Sequence, residues 1–134
     1  MTARISNEKV IETENLTKQF GEFIAVKGIS FDVKKGEIFG FLGANGAGKT
    51  TAMKMLIGIS NPSAGSAKVA SFDVAKDSDM VKKSIGYMSQ KFSMYDDLTV
   101  EENITFFGGI YGLSRKKIKS KTQELIAELQ LGNI

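Results

Sequence analysis

The sequence of 134 residues contains no cysteine and no histidine. Without cysteine the chain can form no disulfide and offers no thiol nucleophile, which is compatible with a reducing compartment. Without histidine it has no imidazole acid or base and no histidine metal ligand. Thiol chemistry, imidazole catalysis and histidine-based metal centres are therefore excluded as functions of these residues.

The sequence also lacks a long apolar run. Its longest uncharged stretch, from Met55 to Ala67, is interrupted by Gly, Pro and Ser and is too short to cross a bilayer. Residues 1–9 lack the apolar core of a signal peptide, so we expect a chain that is neither exported nor membrane-spanning. The composition, 42% hydrophobic and 25% charged, is typical of one soluble globular domain. A net charge of +3 is too small to indicate nucleic-acid binding by itself.

One glycine-rich stretch fits the phosphate-binding pattern Gly-x-x-x-x-Gly-Lys-[Ser/Thr]. Its residues are Gly43, Ala44, Asn45, Gly46, Ala47, Gly48, Lys49, Thr50 and Thr51. Glycines permit positive φ and leave no side chain between backbone and ligand, so successive amides can point at phosphate oxygens. Lys49 supplies a positive charge for the β- and γ-phosphates, and Thr50 supplies a hydroxyl ligand for Mg²⁺. The pattern predicts a site for the phosphates of a nucleotide.

The residues on either side of this stretch support the prediction. Residues 37–42 form a short, mostly apolar run typical of a buried strand, and residues 49–57 are good helix formers with Gly58 as a stop. A helix that begins near Gly48 adds its unpaired amides and the positive end of its dipole to the same anion site. The alternative is a glycine-rich turn that binds nothing, which would not need this strand and helix context.

Local patterns predict the other elements. Strands are expected at residues 10–16 and 23–33, with a bend or bulge at Gly28, and their short link favours antiparallel pairing. Further elements are expected at residues 67–72 (strand), 79–83 (helix) and 85–89 (strand).

The C-terminal part is predicted to be helical. Thr99 and Glu102 form a capping-box pattern for a helix over residues 100–111. Ser114 can cap a final helix. The apolar face of that helix consists of Ile118, Thr122, Leu125 and Leu129 at helical spacing.

From about Leu16 to the last residue, these motifs and their order resemble the nucleotide-binding domains of ABC transporters. Asn45 and the pair Thr50-Thr51 are typical of the phosphate-binding loop in that family. The resemblance implies an α/β fold: an incomplete P-loop NTPase core of the ABC ATPase type, with an N-terminal antiparallel β portion and the start of the helical subdomain. It also implies ATP or ADP with Mg²⁺ as cofactors.

The same resemblance implies a single partial domain over residues 1–134. Its β portion and P-loop core would occupy about 10–90, and the Q-loop with the start of the helical subdomain about 91–134. Three family motifs are absent from these residues: the Leu-Ser-Gly-Gly-Gln signature, the Walker B strand with its Asp and catalytic Glu, and the switch histidine. Residues 69–73 are a poor substitute for Walker B because they are short and polar at Ser71, where the family often has glycine. We therefore expect the 134-residue chain to bind nucleotide without efficient hydrolysis.

The resemblance gives roles to two residues outside the loop. The segment Leu16-Thr-Lys-Gln-Phe20-Gly is similar to the one whose aromatic ring stacks on adenine, so Phe20 is the expected adenine platform. Ser89-Gln90 is similar to the Q-loop, in which the glutamine reaches Mg²⁺ and the attacking water. Catalytic roles are thus expected for Gln90 and Lys49, and Mg²⁺ contacts for Thr50 and Gln90. Without the resemblance, Phe20 would be an ordinary core ring and Gln90 a surface residue.

The segment from Lys91 to Leu98, after the Q-loop, contains the large apolar side chains of Phe92, Met94, Tyr95 and Leu98. The resemblance implies that it contacts a transmembrane transporter subunit or domain; the alternative is a loop packed on its own core. Asp96 and Asp97 are interpreted as turn residues. A second ATP-binding domain is expected to complete a dimer in the whole protein. The expected location is cytoplasmic and peripheral, at the inner face of the cell membrane.

Several functions remain open for such a chain. Residues 87–103 are most similar to ATPases of multidrug-type exporters, while the transported substrate and the direction of transport are not indicated. The alternative is a non-transport ABC ATPase acting on nucleic acid or the ribosome, suggested by the basic residues within 115–121. Such a run more often forms the solvated face of a helix, so no nucleic-acid partner is expected. A small P-loop nucleotide kinase is disfavoured because no arginine for a second phosphate lies between Thr50 and Leu113.

Overall fold

The computed structural model describes residues 6–43, 48–89, 91 and 94–133. The chain divides into two compact units, Met1–Tyr87 and Met88–Ile134.

The first unit is built on a five-stranded sheet around one long strand. Strand β1 (Lys9–Phe20) pairs antiparallel with β2 (Phe23–Ile29), β3 (Asp32–Lys34) and β4 (Ala64–Val69). Strand β4 also pairs antiparallel with β5 (Phe72–Asp73), which gives the order β2-β1-β4-β5 with β3 on β1. The predicted antiparallel pairing of the first two strands is confirmed.

A bulge bends β1 and divides its partners. Asn15 has a φ of 48°, and the register with β2 shifts between Leu16 and Lys18. The hydroxyl of Thr17 accepts the Gly28 N–H at 3.0 Å, and Gly28 has a φ of +54°, a conformation that glycine adopts easily. The predicted bend or bulge at Gly28 is confirmed. Residues 23–33, predicted as one strand region, form the two strands β2 and β3, which pair with different parts of β1.

Two helices cover the sheet of the first unit. They are α1 (Lys49–Leu56) and α2 (Ser78–Ser84), which confirms both predicted helices. Helix α1 ends in a Schellman motif, in which the Gly58 N–H donates to the Met55 carbonyl and the Ile59 N–H donates to the Lys54 carbonyl. The buried core between the sheet and the helices consists of Leu16, Val26, Ala52, Met55, Leu56, Ala67, Val69, Val74 and Val81.

Two predicted strands are wrong. Residues 37–42 and 85–89 are not strands in the structure. A strand is defined by backbone hydrogen bonds to a neighbour, and no described segment pairs with either stretch. Residues 37–42 are instead held partly by aromatic packing, since the Phe31 ring lies 5.1 Å from that of Phe39 and 5.7 Å from that of Phe41. Ile38 is fully exposed, so the apolar character of residues 37–42 was not sufficient for a strand to form.

The predicted strand over 67–72 is a hairpin. Val69 of β4 pairs with Phe72 of β5, and the two residues between them, Ala70 and Ser71, have φ values of 50° and 69°. A two-residue turn with both central φ values positive matches the twist of antiparallel strands, but it strains residues other than Gly, Asn or Asp.

The second unit is a pair of helices. Helix α3 (Val100–Ile110) begins with the predicted capping box, since the Glu102 N–H donates to the Thr99 hydroxyl at 3.2 Å and the Thr99 N–H donates to the Glu102 carboxylate at 2.7 Å. Helix α4 (Arg115–Glu128) begins at Ser114, whose hydroxyl accepts the Lys117 N–H at 3.3 Å. Both capping predictions are confirmed. A short 3₁₀ turn, Leu131–Asn133, follows α4.

The predicted apolar face of α4 holds only in part. Ile118 and Thr122 are buried and Leu125 is half-buried, whereas Leu129, at the C-cap of the helix, is 62% exposed. Gly108 of α3 lets the helices approach, because an added Cβ would lie 2.8 Å from the Ile118 side chain. In the part of the chain that the structure describes, no helix is both long enough and apolar enough to span a membrane.

The strained turn between β4 and β5 gives the first prediction. We expect Ser71→Gly to raise the free energy of unfolding by about 1 kcal/mol, because glycine adopts the positive φ without a Cβ clash. The control is Lys82→Gly on the exposed side of α2 in the same unit, which should lower it by about 1 kcal/mol. Urea unfolding followed by circular dichroism measures both, and a loss of stability for Ser71→Gly would contradict the strain argument.

Candidate nucleotide-binding site

The structure describes both ends of the glycine-rich loop. Gly43 and residues 48–51 are described, whereas Ala44, Asn45, Gly46 and Ala47 lie outside the described residues. Lys49 is the first residue of α1, and its ammonium group donates a hydrogen bond to the Gly43 carbonyl. The lysine side chain therefore reaches back to Gly43, the first residue of the predicted phosphate-binding loop.

Gly48 joins the loop to α1 in a conformation and a space that suit only glycine. Its φ is +85°, and a Cβ added there would overlap the Ala25 carbonyl oxygen of β2. The same Cβ would lie 3.3 Å from the Val26 side chain. The start of the helix is thus packed directly on the backbone of β2, which fixes the direction of the first helical amides.

The N-terminus of α1 is arranged to bind an anion. The Ala52 N–H donates to the Gly48 carbonyl at 2.8 Å, so the amides of Lys49, Thr50 and Thr51 precede the first intrahelical hydrogen bond. Gly48 at the N-cap has no side chain to accept from them, and the first turn contains no acidic residue. These amides, the helix dipole and the Lys49 ammonium all favour a negative group at this position.

The predicted Mg²⁺ ligands are only partly described. Thr50 is exposed on the first turn of α1, where its hydroxyl is accessible to a cation, and Gln90 lies outside the described residues. Across the described ranges, no group of three or more acidic, histidine or cysteine side chains could hold a metal ion. Mg²⁺ commonly binds through one or two protein ligands together with phosphates, and the Thr50 hydroxyl at the start of α1 suits such a role.

Phe20 ends β1 at the hairpin that leads into β2. Its ring is 54% exposed, and the Lys18 ammonium lies 5.3 Å from the ring centroid. Phe20 pairs with Phe23, and Ala25, the residue against which Gly48 packs, is two positions further along β2. That separation is about 7 Å of strand. The exposed Phe20 ring and the point where α1 packs on β2 therefore both lie near the turn of the β1–β2 hairpin. A ligand with an aromatic base and a charged tail would need such an arrangement.

A cavity of about 380 Å³ lies between β2 and the start of α1. It is lined by Phe23, Ile24, Ala25, Val26, Lys27, Ile29, Phe41, Gly48 and Ala52. Sequence reasoning missed Ala25 and Phe41 as part of this region. Contacts that depend on a strand backbone have no signature in side-chain type, so no sequence pattern would have indicated Ala25.

Asp73, the carboxylate considered above for Walker B, has a structural role. Its side chain accepts the N–H groups of Ala75 and Lys76 at 2.9 and 3.0 Å. The hydrogen bond from the Lys76 amide is the main reason why the pKa of Asp73 is lowered from its ordinary value of 3.8. This carboxylate stabilises the turn after β5.

The segment after Gln90 is described at Lys91 and from Met94 onwards, so Phe92 and Ser93 lie outside the described residues. Asp96 and Asp97 form a turn, as predicted. Met94 and Tyr95 are each about half exposed, whereas Leu98 is half-buried. The Tyr95 ring packs edge-on against Phe106, with a centroid separation of 5.0 Å. The segment is thus neither fully exposed nor fully packed on its own unit.

Comparison with known proteins identifies the family. The family model described as ABC transporter matches residues 26–134. The chain belongs to the ABC transporter family. Its predicted fold class, an incomplete α/β P-loop core of the ABC ATPase type with an antiparallel β portion, is confirmed by a solved structure titled as the ATP binding subunit of an ABC transporter. That structure matches with a TM-score of 0.80 at 26% identity, over 92% of this chain and 52% of the other.

The chain matches only part of the length of two relatives among known ABC proteins. The probable multidrug ABC transporter ATP-binding protein YbhF of Escherichia coli strain K12 is 46% identical over 95% of this chain and 22% of its own length. The linearmycin resistance ATP-binding protein LnrL of Bacillus subtilis strain 168 is 38% identical over 87% of this chain and 38% of its own length. The chain therefore spans well under half of either relative.

The contact between Gly48 and β2 gives a second prediction. We expect Gly48→Ala to lower the free energy of unfolding by about 2–5 kcal/mol, the sum of a left-handed residue and an overpacked contact. Gly21→Ala is the matched control, because Gly21 has a φ of +57° but an added Cβ would meet nothing within 4 Å. It should lower the free energy by about 1–2 kcal/mol. Equal losses in urea unfolding would show that the contact with Ala25 contributes nothing.

The pKa of Asp73 gives a third prediction. Because the folded pKa lies below the ordinary 3.8, the carboxylate stabilises the fold above that pH, and this contribution is lost as the pH falls through the folded pKa. We expect Asp73→Asn to reduce the loss of stability between neutral pH and pH 3, measured by urea unfolding at several pH values, and to leave ATP affinity unchanged. A large loss of ATP affinity would contradict the structural role.

Proposed function

We propose that this chain is the N-terminal part of an ATP-binding domain of an ABC transporter and that it binds ATP or ADP with Mg²⁺. The observation that supports this best is the junction at Gly48, the N-cap of α1. This glycine has a left-handed conformation and packs against β2, and the first amides of α1 and Lys49 follow it directly. Family membership and the ATP-binding names of the relatives support the same assignment.

The residues present can hold a nucleotide by charge and by orientation. In the proposed complex the Lys49 ammonium exchanges the Gly43 carbonyl for phosphate oxygens, and the α1 amides donate to the same phosphates. Thr50 would hold Mg²⁺, which when bound neutralises phosphate charge. Phe20 would stack on the adenine through its exposed face. Together these groups give binding and electrostatic stabilisation, which is most of what a phosphoryl-transfer site needs from the protein.

Efficient hydrolysis needs groups beyond these. The resemblance implies a catalytic glutamate after the Walker B strand, and a signature loop contributed by a second ATP-binding domain. Neither the Walker B motif nor the signature motif occurs in the 134 residues. Gln90, expected to orient the attacking water, has no carboxylate beside it in the sequence of the Q-loop. We propose that the complete protein hydrolyses ATP as a dimer, whereas these 134 residues alone bind nucleotide with little turnover.

The proposed partner is a transmembrane subunit or domain of an exporter. The names of YbhF and LnrL associate those proteins with multidrug transport and linearmycin resistance, which supports export as the direction. The half-exposed Met94 and Tyr95 in the segment from Lys91 to Leu98 support a protein contact there. Such a chain would act in the cytoplasm, at the inner face of the membrane.

A nucleic-acid function receives less support from the geometry. The basic residues within 115–121 lie on the exposed side of α4, opposite the buried Ile118 and Thr122. The Lys121 ammonium pairs with the Glu124 carboxylate at 2.8 Å. This is the arrangement of a solvated amphipathic helix, so the absence of a nucleic-acid partner stays our expectation.

The proposed function predicts that Lys49→Ala weakens ATP binding. Loss of a charge-assisted contact to phosphate should lower the affinity about 10- to 100-fold. Lys54→Ala is the control, because Lys54 is exposed in the last turn of the same helix and should leave the affinity within about twofold. Isothermal titration of each variant with ATP and Mg²⁺ measures the difference.

Two results would contradict the proposal. One is a folded wild-type chain that shows no heat of binding and no thermal stabilisation by ATP with Mg²⁺. The other is rapid Mg²⁺-dependent ATP hydrolysis by the 134 residues alone that disappears in Lys49→Ala, since this would require a catalytic carboxylate that we do not assign.

A further inference from the structure

Asn103 is a buried amide on the first turns of α3. It is 8% exposed, one of a small group of polar side chains buried among the described residues. The hydrogen bonds of its side chain all go to the backbone of residues 95–99. A buried amide bonded in this way constrains the backbone stretch that it contacts.

The geometry resembles the pairing of two peptide groups. The Asn103 Oδ1 accepts the Tyr95 N–H at 2.9 Å, while Nδ2 donates to the Tyr95 carbonyl at 3.1 Å. The same Nδ2 lies 3.2 Å from the Leu98 carbonyl and 3.0 Å from the Thr99 carbonyl. Since the amide has two N–H groups, these three carbonyls share them. Only an amide offers an acceptor and two donors in this arrangement.

Neighbouring contacts hold the other end of the same stretch. The Thr99 N–H donates to the Glu102 carboxylate at 2.7 Å, and the Leu98 N–H closes a turn onto the Tyr95 carbonyl at 3.2 Å. While the backbone is fixed from the inner side, Met94 is 50% and Tyr95 47% exposed. A fixed backbone that carries half-exposed apolar side chains is a common design for a binding loop.

We propose that Asn103 is a positioning residue that fixes residues 95–99 so that Met94 and Tyr95 are presented to the transmembrane partner. This inference rests on the partner contact given under the proposed function. Asn103 touches neither nucleotide nor partner in this scheme. It acts through the loop backbone, and its amide chemistry rather than its bulk is what the loop requires.

The first part of the test measures the loop itself. Asn103→Leu removes the donors and the acceptor of the side-chain amide while keeping a similar size. Asn103→Asp keeps an acceptor for the Tyr95 N–H but places a carboxylate oxygen, which cannot donate, next to the three carbonyls. Both should raise the hydrogen-exchange rate of the Tyr95 amide about tenfold or more, measured by NMR on the 134-residue chain. Thr122→Ala is the control, since its buried hydroxyl bonds the Ile118 carbonyl at 2.8 Å and lies on the other helix of the unit. It should destabilise the helices without selectively exposing Tyr95.

The second part measures the partner contact. The full-length protein is co-expressed with the transmembrane subunit that co-purifies with it, after mass spectrometry has identified that subunit. We expect Asn103→Leu to reduce both the subunit recovered and the kcat of the assembled transporter about tenfold, with the KM for ATP unchanged. Thr122→Ala should keep the recovery of the subunit close to that of the wild type.

Three outcomes would overturn the inference. An unchanged Tyr95 exchange rate in Asn103→Leu would show that the amide does not fix the loop. Faster exchange with normal recovery of the transmembrane subunit would show that the fixed loop is not needed for the contact, while leaving the proposed partner intact. If the wild-type protein binds ATP but no transmembrane subunit, the proposed partner itself is wrong, and the role of Asn103 in presenting the loop fails with it.

Discussion

The close approach of Gly48 to the Ala25 carbonyl is the constraint on which the nucleotide site depends. It sets where α1 begins and in which direction its first amides point. Since the helix starts directly on a strand backbone, the first amides of α1 have a fixed direction, and Lys49 would only have to exchange the Gly43 carbonyl for a ligand. An anion site of this kind needs little rearrangement on binding, which favours affinity.

The same hairpin extends this constraint to the other end of the ligand. Beside the bulge at Thr17 and Gly28, β1 changes partners: it pairs with β3 at its N-terminal end and with β2 from Leu16 onwards, while β4 pairs with it as far as Thr17. Phe20 is placed at the tip of the bent half, near the position where α1 packs. The antiparallel portion therefore carries both Phe20 and the backbone on which α1 starts, so it belongs to the proposed site.

Local chemistry predicted the parts of the fold that short-range contacts decide. The cap residues Thr99 and Ser114, the stop at Gly58 and the bend at Gly28 all depend on hydrogen bonds or dihedral angles within a few residues or one hairpin. The predicted strands at 37–42 and 85–89 failed because a strand needs a partner, which no local pattern supplies. The packing of Gly48 on Ala25 was equally unpredictable, since it joins two backbones. For the site, the glycine-rich motif predicted which residues would bind phosphate. It did not predict the contact with the β2 backbone that sets the start of α1.

The two units hold their proposed functional segments by different means: a contact between two backbones in the first unit, and a side chain bonded to a backbone in the second. In the first unit a backbone is held by another backbone, so an added methyl group at Gly48 is not tolerated, whereas the strand residue opposite can vary in side chain. In the second unit the backbone of residues 95–99 is held by the Asn103 side chain, and the side chains of Met94 and Tyr95 are half-exposed. A phosphate group has one chemistry, and a rigid backbone suits it. A protein contact, as proposed for residues 94–95, depends on side chains, and a backbone held from its inner side leaves Met94 and Tyr95 half-exposed for it.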